Sequence, residues 1–181
     1  MDISKAEPAK AATGIAGLDD ILAGGFATGH MFLLEGSPGT GKTTIALRFL
    51  LEGVAASEQG LYITLSETQR ELRAGAVSHG WTISDAIEVF EPIPAESLLN
   101  DEQQQSLLYS SDLELGETTK LIFDAFDRVK PTRVVLDSLS EIRLLAQSSL
   151  RYRRQVLAFK HYFARHGATV LLLDDLTSAS D

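Results

Sequence analysis

Met31-Phe32-Leu33-Leu34-Glu35, followed by Gly36-Ser37-Pro38-Gly39-Thr40-Gly41-Lys42-Thr43-Thr44, is the stretch on which the fold turns. A short apolar run bounded by glycines predicts a buried strand. Gly36 to Gly41 predicts a loop, and Lys42 to Val54 a helix with Ile45, Phe49 and either Ala46 or Leu50 on one side. Gly36 to Thr43 also fits G-x-x-x-x-G-K-[ST] at every fixed position. Glycines there let backbone N–H groups converge on phosphate oxygens with no Cβ in the way, and the helix N-terminus adds favourable charge. Lys42 is placed to reach the β- and γ-phosphates, and the Thr43 hydroxyl to ligate Mg²⁺. Gly36, Ser37, Pro38, Gly39, Thr40, Gly41, Lys42, Thr43 and Thr44 are therefore the candidate phosphate-binding residues of a nucleotide site. The bland alternative is a glycine-rich turn with an exposed lysine.

Working outward, residues 1–13 lack periodicity and read as a loose leader, with a folded core from 14 to 181. Gly17 to Leu22 predicts a short helix stopped at Gly24-Gly25. Downstream, Leu61 to Leu65, Ile87 to Phe90, Val134 to Leu136 and Thr169 to Leu173 predict strands. A helix is expected from Thr68 to Gly80, and a long helical stretch carries Tyr152, Val156, Phe159 and Phe163. Apolar strands alternating with amphipathic helices predict an α/β fold, a mostly parallel sheet with helices on both faces. Residues 91–119 hold seven acidic side chains and no Lys or Arg. They read as a solvated excursion with a broken helix, or as an acidic surface for a partner.

Composition narrows the chemistry. The chain has 181 residues, no cysteine and a formal charge of −9. That excludes disulfides, thiolate metal sites and a cysteine nucleophile, and argues against a broad nucleic-acid surface. No segment has signal-peptide or membrane-span character, so a cytoplasmic location is expected.

Two carboxylates accompany the loop. Arg133-Val134-Val135-Leu136-Asp137-Ser138 ends a strand on Asp137, at the edge where α/β sheets bind ligands. Asp137 is a candidate for holding Mg²⁺ opposite Thr43, or else a cap for the helix from Leu139. Glu67 follows the strand Leu61 to Leu65 and is a candidate for polarising a water for in-line attack, or else a first-turn residue favoured by the helix dipole.

With Thr13-Gly14-Ile15-Ala16-Gly17-Leu18-Asp19-Asp20-Ile21-Leu22, Gly24-Gly25, the P-loop Gly36 to Thr44, Leu61 to Glu67 and Arg133 to Ser138, residues 13–177 resemble the KaiC-like branch of the RecA-type ATPases. The opening motif is far more specific than the P-loop. The resemblance implies a RecA-like P-loop NTPase core, ATP and Mg²⁺ as cofactors, and a catalytic glutamate after the second strand, which falls on Glu67. Clock members carry paired glutamates there, whereas this chain reads Ser66-Glu67. In RecA-type folds a polar residue after the last strand senses the γ-phosphate; Asp175 or Thr177 is the candidate here, or else a cap or a solvent-exposed residue. The resemblance also implies a homo-oligomer, a hexameric ring in the full-length protein, with a signalling protein as a further partner.

RecA-type cores usually continue past Leu171 to Leu173 and supply basic residues to a neighbour's nucleotide. The sequence is therefore expected to be a piece of a longer protein, or a short variant, that binds ATP and hydrolyses it poorly. The leading function is Mg-dependent ATP hydrolysis coupled to ring assembly and regulation. The alternatives are a recombinase-like ATPase that grips DNA, a non-hydrolysing scaffold or switch, and an autokinase. Arg151, Arg153, Arg154, Lys160 and Arg165 on one helix read as a solvated face or subunit contact, with a nucleic-acid patch as the lesser alternative. The four histidines show no ligand spacing.

Overall fold

A computed structural model describes residues 9–92 and 107–176. In chain order the elements are β1 (Lys10–Ala11), α1 (Ala16–Ile21), β2 (Phe26–Ala27), β3 (Met31–Gly36), α2 (Lys42–Ala55), β4 (Gly60–Thr64), α3 (Gln69–Ser78) and β5 (Ile87–Phe90). They continue with α4 (Leu107–Val129), β6 (Arg133–Asp137), α5 (Leu139–Ala146), α6 (Ser149–Arg165) and β7 (Thr169–Asp175). Five strands form one sheet in the order β3-β7-β6-β4-β5, and every neighbouring pair is parallel.

Alternation along each strand explains the near-continuous apolar runs. Tyr62, Val135, Leu171 and Leu173 face α2 and α3, with Phe49, Leu50 and Leu72 packed over them. Leu61, Ile63, Val134, Leu136, Val170 and Leu172 face α4, α5 and α6, under Ile122, Ile142, Phe159 and Phe163. The stripe expected on α6 is therefore core, while its basic side chains lie exposed on the other side.

Several expectations need correction. Lys10 and Ala11 pair with Ala27 and Phe26, and Ala11 and Thr13 are buried; within the described residues no loose leader extends to 13. Asp19 explains this part of the opening motif. Its carboxylate accepts from the Thr13 N–H and hydroxyl, both at 2.8 Å, and from the Gly14 N–H at 3.1 Å. Residues 107–119 are not a solvated excursion but the first half of α4, with Leu115 and Thr118 buried. The long helical stretch is two helices, parted at Gln147, whose φ of +53° ends α5. The strand Met31 to Glu35 forms as expected but is not fully buried, because β3 lies at the sheet edge and leaves Leu33 56% exposed. Residues 93–106 fall outside the described part.

Arg133, at the start of β6, ties the N-terminal segment to this core. It is buried beneath α2, pairs with Glu58 and donates to the carbonyls of Ala12 and Phe49. Its guanidinium passes so close to α2 that a Cβ at Gly53 would lie 2.5 Å from Arg133 Cδ. Removing it takes a donor from the Ala12 and Phe49 carbonyls and the charged partner from half-buried Glu58, which keeps only the Thr132 hydroxyl among the described side chains. Arg133→Met should therefore lower unfolding free energy by about 2–4 kcal/mol in urea titration. A loss below ~0.5 kcal/mol would show that the network contributes little.

Candidate nucleotide-phosphate site

The parallel register brings four strand ends together. Gly36 on β3 lies opposite Asp175 on β7, and Asp137 on β6 lies opposite Thr64 on β4 and Leu173 on β7. A cleft of about 450 Å³ opens above them. Its lining combines Pro38, Gly39, Gly41, Lys42, Thr43 and Thr44 from the loop and α2 with Ser66, Glu67, Asp137 and Asp175. Gly41 is the N-cap of α2 and has φ +89°, a conformation that strongly favours glycine. The first N–H groups of α2 thus open onto the cleft without intrahelical partners. Gly36, Ser37 and Thr40 serve the loop itself: the Thr40 hydroxyl donates to the Ser37 carbonyl at 2.8 Å, closing the turn.

Lys42 is folded back over that turn. Its ammonium donates to the Gly36 carbonyl at 2.8 Å and the Ser37 carbonyl at 3.0 Å. It also pairs with Asp175 Oδ1 at 2.7 Å.

Asp137 is buried at the floor of the cleft. The neighbouring helix has Ser138 as its N-cap, with no side-chain cap hydrogen bond. Instead, Asp137 Oδ2 accepts a 2.6 Å hydrogen bond from the Tyr62 hydroxyl. Burial pushes the Asp137 carboxyl above its ordinary range; the Asp175 charge adds to this, while Tyr62, Lys42 and Thr43 oppose it. The Tyr62 hydroxyl is raised in turn, by burial first and by Asp137 second.

Magnesium suits this donor set. It takes one or two protein oxygens and completes its octahedron with water and phosphate. Among the described residues no group of three or more His, Cys, Asp or Glu could cage a metal. A buried carboxylate held above its ordinary range is the kind of group that a neighbouring cation stabilises.

Glu67 stands at the opposite wall, anchored by its backbone. Thr64 is buried, and its hydroxyl donates to the Glu67 carbonyl at 2.6 Å while accepting from the Glu67 N–H at 3.1 Å. Helix α3 begins only at Gln69, behind the N-cap Thr68 and its capping box with Glu71, so Glu67 precedes the helix. Partial burial raises the Glu67 carboxyl above its ordinary value, with the Asp137 and Glu71 charges adding.

Of the two sensing candidates, Asp175 lies in the cleft on Lys42, and Thr177 lies outside the described residues. Adjacent Asp174 points to the other face of the sheet, buried against Ser140 and Arg143 of α5. Sequence reasoning missed Tyr62 and the Lys42–Asp175 pair. A tyrosine inside an otherwise aliphatic buried strand was the available signal for the first, since a buried phenol needs a partner.

A second cavity of about 460 Å³ adjoins the cleft through Thr43, Thr44, Ser66 and Glu67, and is closed by Leu47, Leu72, Gly75 and His79. The larger cavity between β3 and α6, about 570 Å³, is mainly aliphatic and aromatic and lacks this chemistry. No helix among the described residues is long and apolar enough to cross a membrane.

Comparison with known proteins agrees with this architecture. The family model for the KaiC ATPase matches residues 11–181. The circadian clock oscillator protein KaiC of Thermostichus vulcanus is 28% identical over 170 residues, 93% of this chain and 32% of that protein. A UPF0273 protein of Pyrococcus horikoshii is 27% identical over 169 residues, covering 91% of this chain and 68% of the relative. The crystal structure of a KaiC-like protein from the same hyperthermophilic archaeon matches with a TM-score of 0.72 at 26% identity, over 93% of this chain and 71% of that one. The chain spans about a third of the length of the clock proteins it matches. With a parallel five-stranded sheet, a P-loop at its carboxyl edge and a family match that begins at residue 11, the chain belongs to the KaiC ATPase family.

Proposed function

We propose that this chain binds ATP with Mg²⁺ and hydrolyses it. The carrying observation is the meeting of Lys42, Thr43, Asp137 and Glu67 in one cleft, from elements far apart in sequence. Lys42 and the first N–H groups of α2 hold the β- and γ-phosphates. Thr43 and Asp137 would hold the metal, with Tyr62 fixing one Asp137 oxygen. When bound, Mg²⁺ would neutralise charge on the β- and γ-oxygens. Glu67 takes a proton from the attacking water, and its raised carboxyl brings it nearer to neutral pH as a base. The nucleoside lies in the adjoining cavity by Leu47 and His79.

The described lining carries one cation against three carboxylates. Charge developing on the transferred phosphoryl group thus calls for a cation from elsewhere, which supports a site completed by a second copy in an oligomer. Regulation through ATP-dependent assembly is the use this implies.

Asp137→Asn tests the core of this reading by moving two melting temperatures in opposite senses. The folded-state carboxyl is raised, so its contribution to stability is fully present below the unfolded value and is lost as pH rises through the folded one. At neutral pH the charged form is therefore a burden that the amide lacks. The ligand-free variant should be more stable by about 1–2 kcal/mol, or roughly 2–8 °C. Wild type should gain about 2.7 kcal/mol from Mg-ATP at a hundred times its Kd, and the variant should lose most of the Mg-dependent part. An Asp137→Asn protein still stabilised by Mg-ATP to the wild-type extent would remove Asp137 from the metal.

A further inference from the structure

Asp175 has a different relation to the ligand from that of the other cleft residues. It sits at the end of β7, directly opposite Gly36, where the loop begins. Strand alternation decides where it points: Asp174 turns to α5, and Asp175 turns to Lys42. All three donors of the ammonium are thus engaged, two by loop carbonyls and one by a carboxylate. The carbonyls belong to the cradle. Asp175 comes from the neighbouring strand and carries the same sign of charge as the phosphates.

We infer that Asp175 is an internal competitor for Lys42, and that it makes the cleft select the Mg²⁺-bound polyphosphate over the metal-free anion. The inference rests on the ATP reading above. A polyphosphate that reaches Lys42 must displace Asp175 or lie beside it. Asp137 and Glu67 line the same space, so the lysine is outnumbered by three carboxylates. An incoming bare polyanion meets repulsion from all three, and the pairing that would favour it is already occupied. A magnesium complex brings a cation to the carboxylates and a lower net charge to the lysine, and the same groups then become compatible with it. Asp175 is a positioning residue here, acting through Lys42, and sets which form of the ligand enters.

The test is calorimetric titration of the full chain with ATP in excess Mg²⁺, with ATP in EDTA, and with inorganic tripolyphosphate in EDTA. Wild type should bind the magnesium complex well and both metal-free anions poorly. Asp175→Asn should improve binding of both metal-free anions about tenfold, the size of effect expected from removing a half-exposed like charge from an anion site. Its affinity for Mg-ATP should change much less, so the preference for the complex narrows by the same factor. Asp175→Ser should repeat this result, and Asp175→Glu should restore the wild-type preference. Equal weakening of all three ligands would mean a structural role and overturn the inference. Selective loss of Mg-ATP would also overturn it, making Asp175 a partner of the metal. If wild type binds neither ATP form, the ATP reading itself falls; if wild type binds both equally, only the selection by Asp175 falls.

Discussion

Lys42→Ala should weaken Mg-ATP binding by about 10²–10³-fold, the usual consequence of removing a charged partner from a desolvated ionic contact. The ammonium is largely buried and is the cation among the described residues that line the cleft. No other lining side chain there can take over its charge. The loss should be confined to binding. Lys42 makes its contacts within the loop and to Asp175, whose side chain is 38% exposed, and a pair of that kind adds little to stability. The ligand-free melting temperature should therefore stay close to that of wild type. Titration calorimetry with a thermal melt of the same sample checks both statements. Unchanged affinity would sink the phosphate site, and a collapse of the fold would mean that Lys42 is structural.

Glu67→Gln should leave Mg-ATP affinity near wild type and reduce turnover by about 10²–10⁴-fold, the range for a general base. The amide keeps the shape of the carboxylate and the backbone anchor at Thr64, so only proton acceptance is lost. The wild-type pH profile adds a signature. Burial first, then the Asp137 and Glu71 charges, raise the Glu67 carboxyl. A base works deprotonated, so activity should fall with acidification at a higher pH than for an ordinary glutamate. Assays across a range of protein concentrations separate two sources of slow turnover. Specific activity that climbs with concentration indicates sites completed between copies. Turnover of the glutamine variant equal to wild type at every concentration would remove Glu67 from the chemistry.

Much of the site was legible because its signals are local. A glycine pattern between a strand and a helix announces the turn that opens the first N–H groups of α2 onto the cleft. An Asp after Val134-Val135-Leu136 reports the end of a buried strand. The opening motif was legible as a family signature but not as a device. Its physical basis is Asp19 binding back to Thr13 and Gly14, which brings residues 10–13 into the fold rather than into a leader. The acidic stretch misled because charge density hides a helix whose apolar face, through Leu115 and Ile122, is buried.

What the sequence determined by itself was the alternation of strand and helix, and the identity of Lys42, Thr43, Asp137 and Glu67 as candidates. These follow from patterns a few residues long, where backbone geometry and side-chain chemistry are set by near neighbours. Strand order and register were decided only by the tertiary structure. They placed β3 at the sheet edge and set Gly36 opposite Asp175 and Thr64 opposite Asp137. They carried the Tyr62 hydroxyl to Asp137, 75 residues away, and sent Asp174 and Asp175 to opposite faces. Those contacts depend on which strands lie side by side, and pairing between distant segments is fixed by packing the whole core rather than by any one stretch of chain.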